Sequence, residues 1–546
     1  MYILGFSDSV HDRSVCLFKD SVPLVAIEEE RLTRVKHGLK LYGESRKNPG
    51  IFSQMNLESE GTAANEAALM PLVDYCLDAA KISWDDVDIT IGNSLHLAFP
   101  FHGKSLYINH HLAHASAAFY ASGFEEAAIF AADGYGDLTD EHRYETIVLA
   151  HGKGKDVKVL ETIEGSVSTY YDMQNSLGVF YRIGSLLSGF GMFDEGKTMG
   201  LSSYGEPVYY DQIKKYLTFT DKMVEIDNCK LWDELSVAIV PRDDFKTQAD
   251  IASSFQKHLE ELIVFYVNRL HDLVKTDYLC IAGGTGLNCV SNAKLTLTTK
   301  FKEVFVFPAT GDNGNSFGAA YYAAHKVLGL PRTKQLEHSY FGKSYTPAQE
   351  EKALAKKAKE VAYEKLDTKR VIAKAADLLE KDEIMMWYQE GCELGPRALG
   401  HRSIIANPTK KETKDYINAH VKFRESFRPL APIVLEERAQ EFFDFKFKSP
   451  FMLFSPGVKL PAKKLAPAVV HINDTARLQT LNKQQNPKLY SVIETFAETS
   501  GVPIVLNTSF NGKDEPIVET PEEALNTFLK SPVKHLFLDN FYVTKK

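Results

Sequence analysis

Cysteine is scarce in this chain: six residues in 546, at Cys16, Cys76, Cys229, Cys280, Cys289 and Cys392, with no CxxC pair. Such spacing offers neither a disulfide framework nor a structural zinc knot, and it fits buried thiols in a reducing cytoplasm. No apolar run approaches the roughly 20 residues needed to span a bilayer. A strand-like Tyr2-Ile-Leu-Gly-Phe6 stands where a basic leader and apolar stretch would begin a signal peptide. The expectation is a cytoplasmic protein with no membrane partner. A basic excess is also missing, because 63 Lys and Arg face 72 Asp and Glu for a net charge of -9. That argues against nucleic acid as a partner, since duplex binders carry a basic stripe. The short run Lys356, Lys357 and Lys359 is flanked by Glu351 and Glu360 and reads as a solvated helix face. No internal repeat or low-complexity tract is visible.

What is present is ample core material, with 44% hydrophobic residues. Four short apolar runs, at 2–6, 127–132, 278–282 and 304–307, each lead into a turn rich in glycine or aspartate. Strands that stop at such turns and feed helices are the pattern of an α/β sheet with chemistry at its strand ends. Residues 14–18 and 22–27 read as a hairpin around Lys19-Asp-Ser21. Stretches 62–80 and 249–274 carry helical periodicity. After Ala320 the pattern changes, and a polar segment from 328 to about 367, with Pro331 and Pro347, reads as a connection. A second α/β unit follows, with strands near 383–388, 503–506 and 535–542. The expected organisation is α/β throughout, in two domains of residues 1–345 and 346–546.

Several constellations carry chemistry. In Asn109-His-His-Leu-Ala-His-Ala115, His110 and His114 are one helical turn apart and can share a metal. Asp133 and Asp312 sit in glycine-rich turns at strand ends. Two imidazoles and two carboxylates suit iron, manganese or zinc. The turns Asp133-Gly-Tyr-Gly-Asp137 and Gly283-Gly-Thr-Gly286, with Gly283 and Gly284 foremost, would let backbone N–H groups approach a nucleotide's phosphates. His11 stands beside Asp12, and an imidazole, with its ordinary pKa near neutrality, suits a general base. In the second domain, Glu393-Leu-Gly-Pro-Arg-Ala-Leu-Gly-His-Arg-Ser403 brings Arg397 and Arg402 into one cluster, and Lys422-Phe-Arg-Glu-Ser-Phe-Arg-Pro429 adds Arg424 and Arg428. Arginine forks bind phosphate bidentately. Asn507-Thr-Ser-Phe-Asn511 supplies neutral donors at a strand end.

With these residues in view, the sequence resembles the NodU/CmcH family of O-carbamoyltransferases. The resemblance spans nearly the whole chain. It rests on Glu29-Glu-Arg-Leu-Thr-Arg-Val-Lys-His37, the His110–His114 segment, Asp133–Asp137, Glu195-Gly-Lys-Thr-Met-Gly-Leu-Ser-Ser-Tyr-Gly205, the Arg397 and Arg428 motifs, and Asn507–Gly512. It implies an actin-like (ASKHA) metal-dependent first domain, similar to the tRNA threonylcarbamoyladenosine synthases, joined to a YrdC-like second domain. The second would make carbamoyl adenylate from carbamoyl phosphate and ATP, with Mg2+ accompanying the nucleotide. The first would pass the carbamoyl group to a hydroxyl of a small acceptor such as a sugar or another natural product. Matched residue by residue, His110, His114, Asp133 and Asp312 correspond to the family's metal ligands, commonly for Fe2+. Lys36 and the Gly283–Asn288 turn correspond to adenylate contacts, with Asn288 among them. Arg397, Lys422, Arg428, Asn507 and Ser509 correspond to the carbamoyl-phosphate pocket, Arg397 and Arg428 as catalytic groups. His11 corresponds to the base. Arg13 stands where a small residue is usual, which leaves the acceptor's identity open. The resemblance also admits a homodimer.

Two competing readings remain at this level. Threonylcarbamoyl transfer to tRNA would use both modules, but their fusion and the net charge of -9 oppose it. A non-catalytic actin-like nucleotide switch leaves the arginine-rich second domain without a purpose.

Overall fold

The short apolar runs form strands of an α/β protein in two parts. The computed structural model describes residues 1–9, 11–38, 62–94, 105–139, 143–167, 173–239 and 244–546. Its contacts separate a first unit, Met1–Glu30 with His37–Leu336, from a second, Arg31–Lys36 with Glu337–Lys546.

In the first unit, β1 (Tyr2–Asp8) pairs antiparallel with β2 (Ser14–Lys19), and β2 pairs antiparallel with β3 (Val22–Glu28). On its other side β1 runs parallel to β4 (Val87–Ser94), and β4 to β5 (Leu106–Tyr107). A second sheet repeats this plan. There β6 (Glu126–Ala132), β7 (Arg143–Lys153) and β8 (Asp156–Ser166) pair antiparallel, while β11 (Tyr278–Ala282) and β12 (Glu303–Val306) extend it in parallel. A short ribbon of β9 (Leu217–Phe219) and β10 (Val224–Ile226) lies between them in sequence. The orders β3-β2-β1-β4-β5 and β8-β7-β6-β11-β12 are one topology used twice. The sequence shows no repeat because topology is set by pairing and burial pattern, and many sequences satisfy one pattern.

Strands β1 and β6 are buried along nearly their whole length, which explains their unbroken apolar composition. Helix α1 (Thr62–Ala80) covers the first sheet at β2 and β3. Helix α2 (His110–Ser122) lies against β6 and β11, and α5 (Asn315–Tyr322) against β1 and β2; the two helices also touch each other. Between them in sequence come α3 (Leu177–Leu187) and the 30-residue α4 (Phe245–Val274).

The second unit is an eight-stranded mixed sheet. Its order is β13 (Val361–Lys365), β22 (Phe541–Lys545), β21 (His535–Leu538), β14 (Met385–Tyr388), β15 (Arg402–Ala406), β20 (Ile504–Ser509), β16 (Ala431–Leu435) and β19 (Gln479–Leu481). Strands β17 (Phe443–Asp444) and β18 (Gly457–Val458) form a separate small pair. Two sequence expectations need correction here. The polar stretch 328–367 is not simply a connection: it contains α6 (Pro347–Lys356), started by a Thr346–Gln349 capping box, and edge strand β13. Four of the five β13 residues are exposed, and that made the strand read as a loop. Residues 535–542 are not one strand but a hairpin, turned at Asp539 with φ 50°. Among the described residues no helix is long and apolar enough to cross a membrane.

Candidate functional site

Asn109 caps α2 by accepting from the Leu112 amide at 2.9 Å, and Asp137 accepts from the His110 amide at 2.8 Å. The helix therefore starts where the imidazoles of His110 and His114 project from one face. Asp133 follows β6 directly, and Asp312 opens the turn after β12. One ligand atom from each of these four residues lies within 4.8 Å of the others. The Nε2 atoms of His110 and His114 are 3.1 Å apart. His114 Nε2 is 3.1 Å from Asp133 Oδ2 and 3.5 Å from Asp312 Oδ1, and His110 Nε2 is 3.6 Å from Asp312 Oδ1. Donors held about 2.0–2.2 Å from a tetrahedral ion are separated by roughly 3.4 Å. The set therefore fits a divalent cation in both chemistry and spacing.

The carboxylate of Asp133 is fixed by the backbone, accepting from Gly134 N at 2.7 Å and Gly284 N at 3.1 Å. Gly283 makes the second contact possible: its φ is +83°, and a Cβ there would sit 2.1 Å from the Ala132 carbonyl oxygen. Burial works against the charge on Asp133, but the facing His110 and His114 keep its carboxyl well below the usual range. Burial opposes the charged form of His114 too, yet Asp133 and Asp312 raise it to about 9. His110 turns Nδ1 toward Asn93 Oδ1 at 3.3 Å, the kind of outer contact that orients a ligating imidazole. Asn288 points inward instead, capping Ser291 and exchanging hydrogen bonds with Gln256.

His11 lies beside this cradle, its Nε2 3.9 Å from Asp312 Oδ2. Its Nδ1 is 2.9 Å from Asp12 Oδ2, while the other Asp12 oxygen is 2.8 Å from His37 Nδ1. Burial would lower the His11 pKa, but the Asp12 hydrogen bond and the charges of Asp312, Asp12 and Asp133 raise it to about 9. Burial would likewise raise the Asp12 carboxyl, and the two imidazoles instead hold it far below its ordinary value. Arg13 donates to Asp8 at 2.9 Å and lies 3.5 Å from Glu29, so its charge is engaged by neighbouring acids. His37 stands in a motif quoted above without a role, and Asp12 was noted there only as a neighbour of His11. The signal available in the sequence was a histidine-aspartate pair at a strand end and a second histidine closing a charged motif.

In the second unit, Lys422 is buried and donates to Ser509 O at 2.9 Å, Ser509 Oγ at 3.3 Å and Asn511 O at 2.9 Å. Ser509 and Asn507 end β20. Asn507 donates to Ala398 O at 2.9 Å, one residue after Arg397, and its buried Oδ1 has no hydrogen-bond partner among the described residues. Burial pushes the Lys422 ammonium well below its usual pKa, and the charges of Arg424, Lys36 and Arg428 push it further. Arg424 is lowered by burial and then by Arg428 and Arg477. Burial and neighbouring positive charge thus act together on Lys422 and Arg424. Lys36, though early in the chain, contributes its charge to this group. Sequence reasoning missed Arg477, whose only signal was being an arginine in a lysine-rich domain. It also misplaced Arg402. That guanidinium is fully buried, donates to the carbonyls of Gln389, Glu390 and Glu519, and stacks 3.5 Å from the Tyr388 ring. These contacts tie it into the buried sheet.

Residues 93–321 match the family profile described as Carbamoyltransferase N-terminus, and residues 376–545 match Carbamoyltransferase C-terminus. The chain is 32% identical to nodulation protein NolNO of Sinorhizobium fredii over 98% of its own length and 79% of that protein. It is 36% identical to nodulation protein NolO of Bradyrhizobium diazoefficiens over 80% of its length and 79% of that protein. Among solved structures, component A of the (R)-2-hydroxyglutaryl-CoA dehydratase of Acidaminococcus fermentans shows a distant likeness. It has a TM-score of 0.37 and 12% identity, with 60% of this chain and 99% of that one covered. The chain thus belongs to the carbamoyltransferase family, of the NodU and NolO type, and is an enzyme that transfers a carbamoyl group.

Proposed function

We propose that the enzyme is an ATP-dependent O-carbamoyltransferase working in two stages. In the second unit, read as YrdC-like, water cleaves carbamoyl phosphate to carbamate and phosphate. A carbamate oxygen then attacks the α-phosphorus of ATP and expels pyrophosphate, leaving carbamoyl adenylate. In the first unit, read as actin-like, an acceptor hydroxyl attacks the carbamoyl carbon and AMP departs. Adenylation matters because carbamate alone would have to lose a bare oxide, whereas the adenylate loses a phosphate monoester.

The observation that carries this reading is the buried Lys422, whose ammonium reaches Ser509 and Asn511 at the end of β20 and whose pKa is lowered first by burial and then by the charges of Arg424, Lys36 and Arg428. So much positive charge brought together stabilises a small dianion, and carbamoyl phosphate is one. Arg397 and Arg428 would grip its phosphate as planar forks, and the Asn507 and Ser509 donors would orient the carbamoyl end. The duplicated five-stranded sheets support the actin-like reading of the first unit.

In that unit, His110, His114, Asp133 and Asp312 would hold a divalent ion, Fe2+ by family resemblance. Bound there, the ion would supply charge stabilisation for the departing phosphate and offset the carboxylates that raise His11. His11 would take the proton of the acceptor hydroxyl at Nε2, the nitrogen left available by the Asp12 contact. The Gly283–Gly286 turn would offer backbone N–H groups to the nucleotide. The acceptor is read as a small hydroxyl-bearing molecule such as a sugar.

The test incubates the protein with ATP, Mg2+, Fe2+ and carbamoyl phosphate and follows carbamoyl adenylate by mass, together with pyrophosphate release. Formation is expected, and Arg397→Ala should abolish it. Adenylate appearing only with threonine and bicarbonate would move the enzyme to threonylcarbamoyl chemistry and end this reading. His11→Ala should still form the adenylate and fail to pass it on.

A further inference from the structure

Three residues without glycine's freedom adopt positive φ around one spot in the first unit: Asp12 at 58°, His37 at 57° and Phe193 at 62°. Left-handed conformations cost such residues free energy, and they gather where a surrounding arrangement demands them. Here the arrangement is a carboxylate between two imidazoles. Asp12 Oδ2 meets His11 Nδ1 at 2.9 Å and Oδ1 meets His37 Nδ1 at 2.8 Å. The backbone closes the same loop, because Asp12 N donates to His37 O at 3.0 Å and His37 N donates to Glu30 Oε2 at 3.0 Å. Both rings rest on Phe193, His37 stacked at 4.9 Å and 25°, His11 edge-on at 4.8 Å and 62°. Phe193 in turn carries the Arg182 guanidinium 5.9 Å from its centre.

We propose that Asp12 is a positioning residue: one carboxylate accepts Nδ1–H from both His11 and His37, fixing His11 so that only Nε2 faces the Asp312 side of the cradle. The inference rests on the reading of His11 as the base that receives the acceptor's proton. An ionised carboxylate is required, since its two oxygens accept in two directions while an asparagine can accept in only one and must donate in the other. A neutral imidazole protonated at Nδ1 presents a bare Nε2, as proton abstraction demands. Without the bridge the ring is free to take the Nε2–H form, which cannot accept there. His37, tied at both backbone and ring, is the fixed post against which the carboxylate is braced.

The test reads the ring nitrogens directly. Protein labelled with 15N-histidine and supplied with zinc as a diamagnetic ion is recorded by two-bond 1H–15N correlation, with His11→Gln and His37→Gln assigning the two rings. Protonated Nδ1 is expected on both His11 and His37. In Asp12→Asn one of the two rings should lose its Nδ1 proton, and in Asp12→Ala both should move to the Nε2–H form. His37→Gln, whose side-chain amide can still donate to Asp12, should leave the His11 pattern unchanged. A wild-type His11 without a proton on Nδ1, or rings unaltered in Asp12→Ala, would overturn the proposal. Thermal melts identify a variant that fails to fold, and the near-isosteric Asp12→Asn then carries the test. No substrate enters these spectra, so the two readings fail separately. A wild type that makes no carbamoyl adenylate would refute the function and leave the bridge standing.

Discussion

Arg397 and Arg402 stand in one glycine-rich motif, and composition alone gives them the same work. The fold separates them. Arg402 spends both terminal nitrogens on buried carbonyls and lays its plane on an aromatic face, with Glu519 4.0 Å away. Its loss strands that buried acid, so Arg402→Ala is expected to cost about 3–5 kcal/mol, visible as a lowered melting temperature. Arg397 is half-buried, and Arg397→Ala should change stability by less than about 1 kcal/mol while abolishing adenylate formation. Equal melting losses in the two variants would show that the motif is structural throughout. The four cradle residues were legible because a histidine pair at helical spacing and aspartates at strand ends are local signals. Their convergence was legible only through the family resemblance, since it depends on β6, β12 and α2 meeting. Asp312→Asn keeps the shape but removes a charged donor, and should weaken binding of a divalent ion on the order of 100-fold in competition with a chelator. Unchanged metal affinity would mean that the cradle is only a hydrogen-bond network.

Among the elements, the turn after β11 leaves little room for change. Gly283 holds φ +83° and approaches Ala132, the residue just before Asp133. Gly283→Ala is expected to cost about 1–3 kcal/mol in backbone strain alone. To relieve its clash the end of β6 must shift, so the variant should also bind metal more weakly, a loss that chelator competition would detect. A strand that runs into a glycine or aspartate turn is easily read, and β1, β6, β11 and β12 were found that way. Elements with exposed faces were harder. Strand β13 shows its side chains to water, and the break at Asp539 depends on one residue's backbone, which asparagine or aspartate permits without advertising it. The doubled sheet order lay beyond reading, because nothing in the second copy repeats the residues of the first.

Across the whole molecule, buried ionisable groups set the response to pH. His325 is pushed down to about 4, first by burial and then by Arg332 and Lys155, and burial with Arg477 and Lys414 pushes His471 to about 3. Both imidazoles bind protons more readily unfolded, so the stability they lend is complete above about 6.5 and drains away as pH falls toward 4 and 3. Glu350 acts in the opposite sense. It is 2% exposed, and burial followed by the charge of Asp539 lifts its carboxyl from 4.5 to about 8. The folded protein therefore holds a proton that the unfolded chain releases. This stabilisation is full below pH 4.5 and disappears as pH climbs through about 8. Glu350→Gln keeps a neutral group of the same shape at every pH. Its melting temperature should match the wild type near pH 4.5 and exceed it at pH 9, by an amount worth a few kcal/mol, on the order of the shift itself. A melting difference that stayed constant across that interval would show that Glu350 does not change its charge on unfolding.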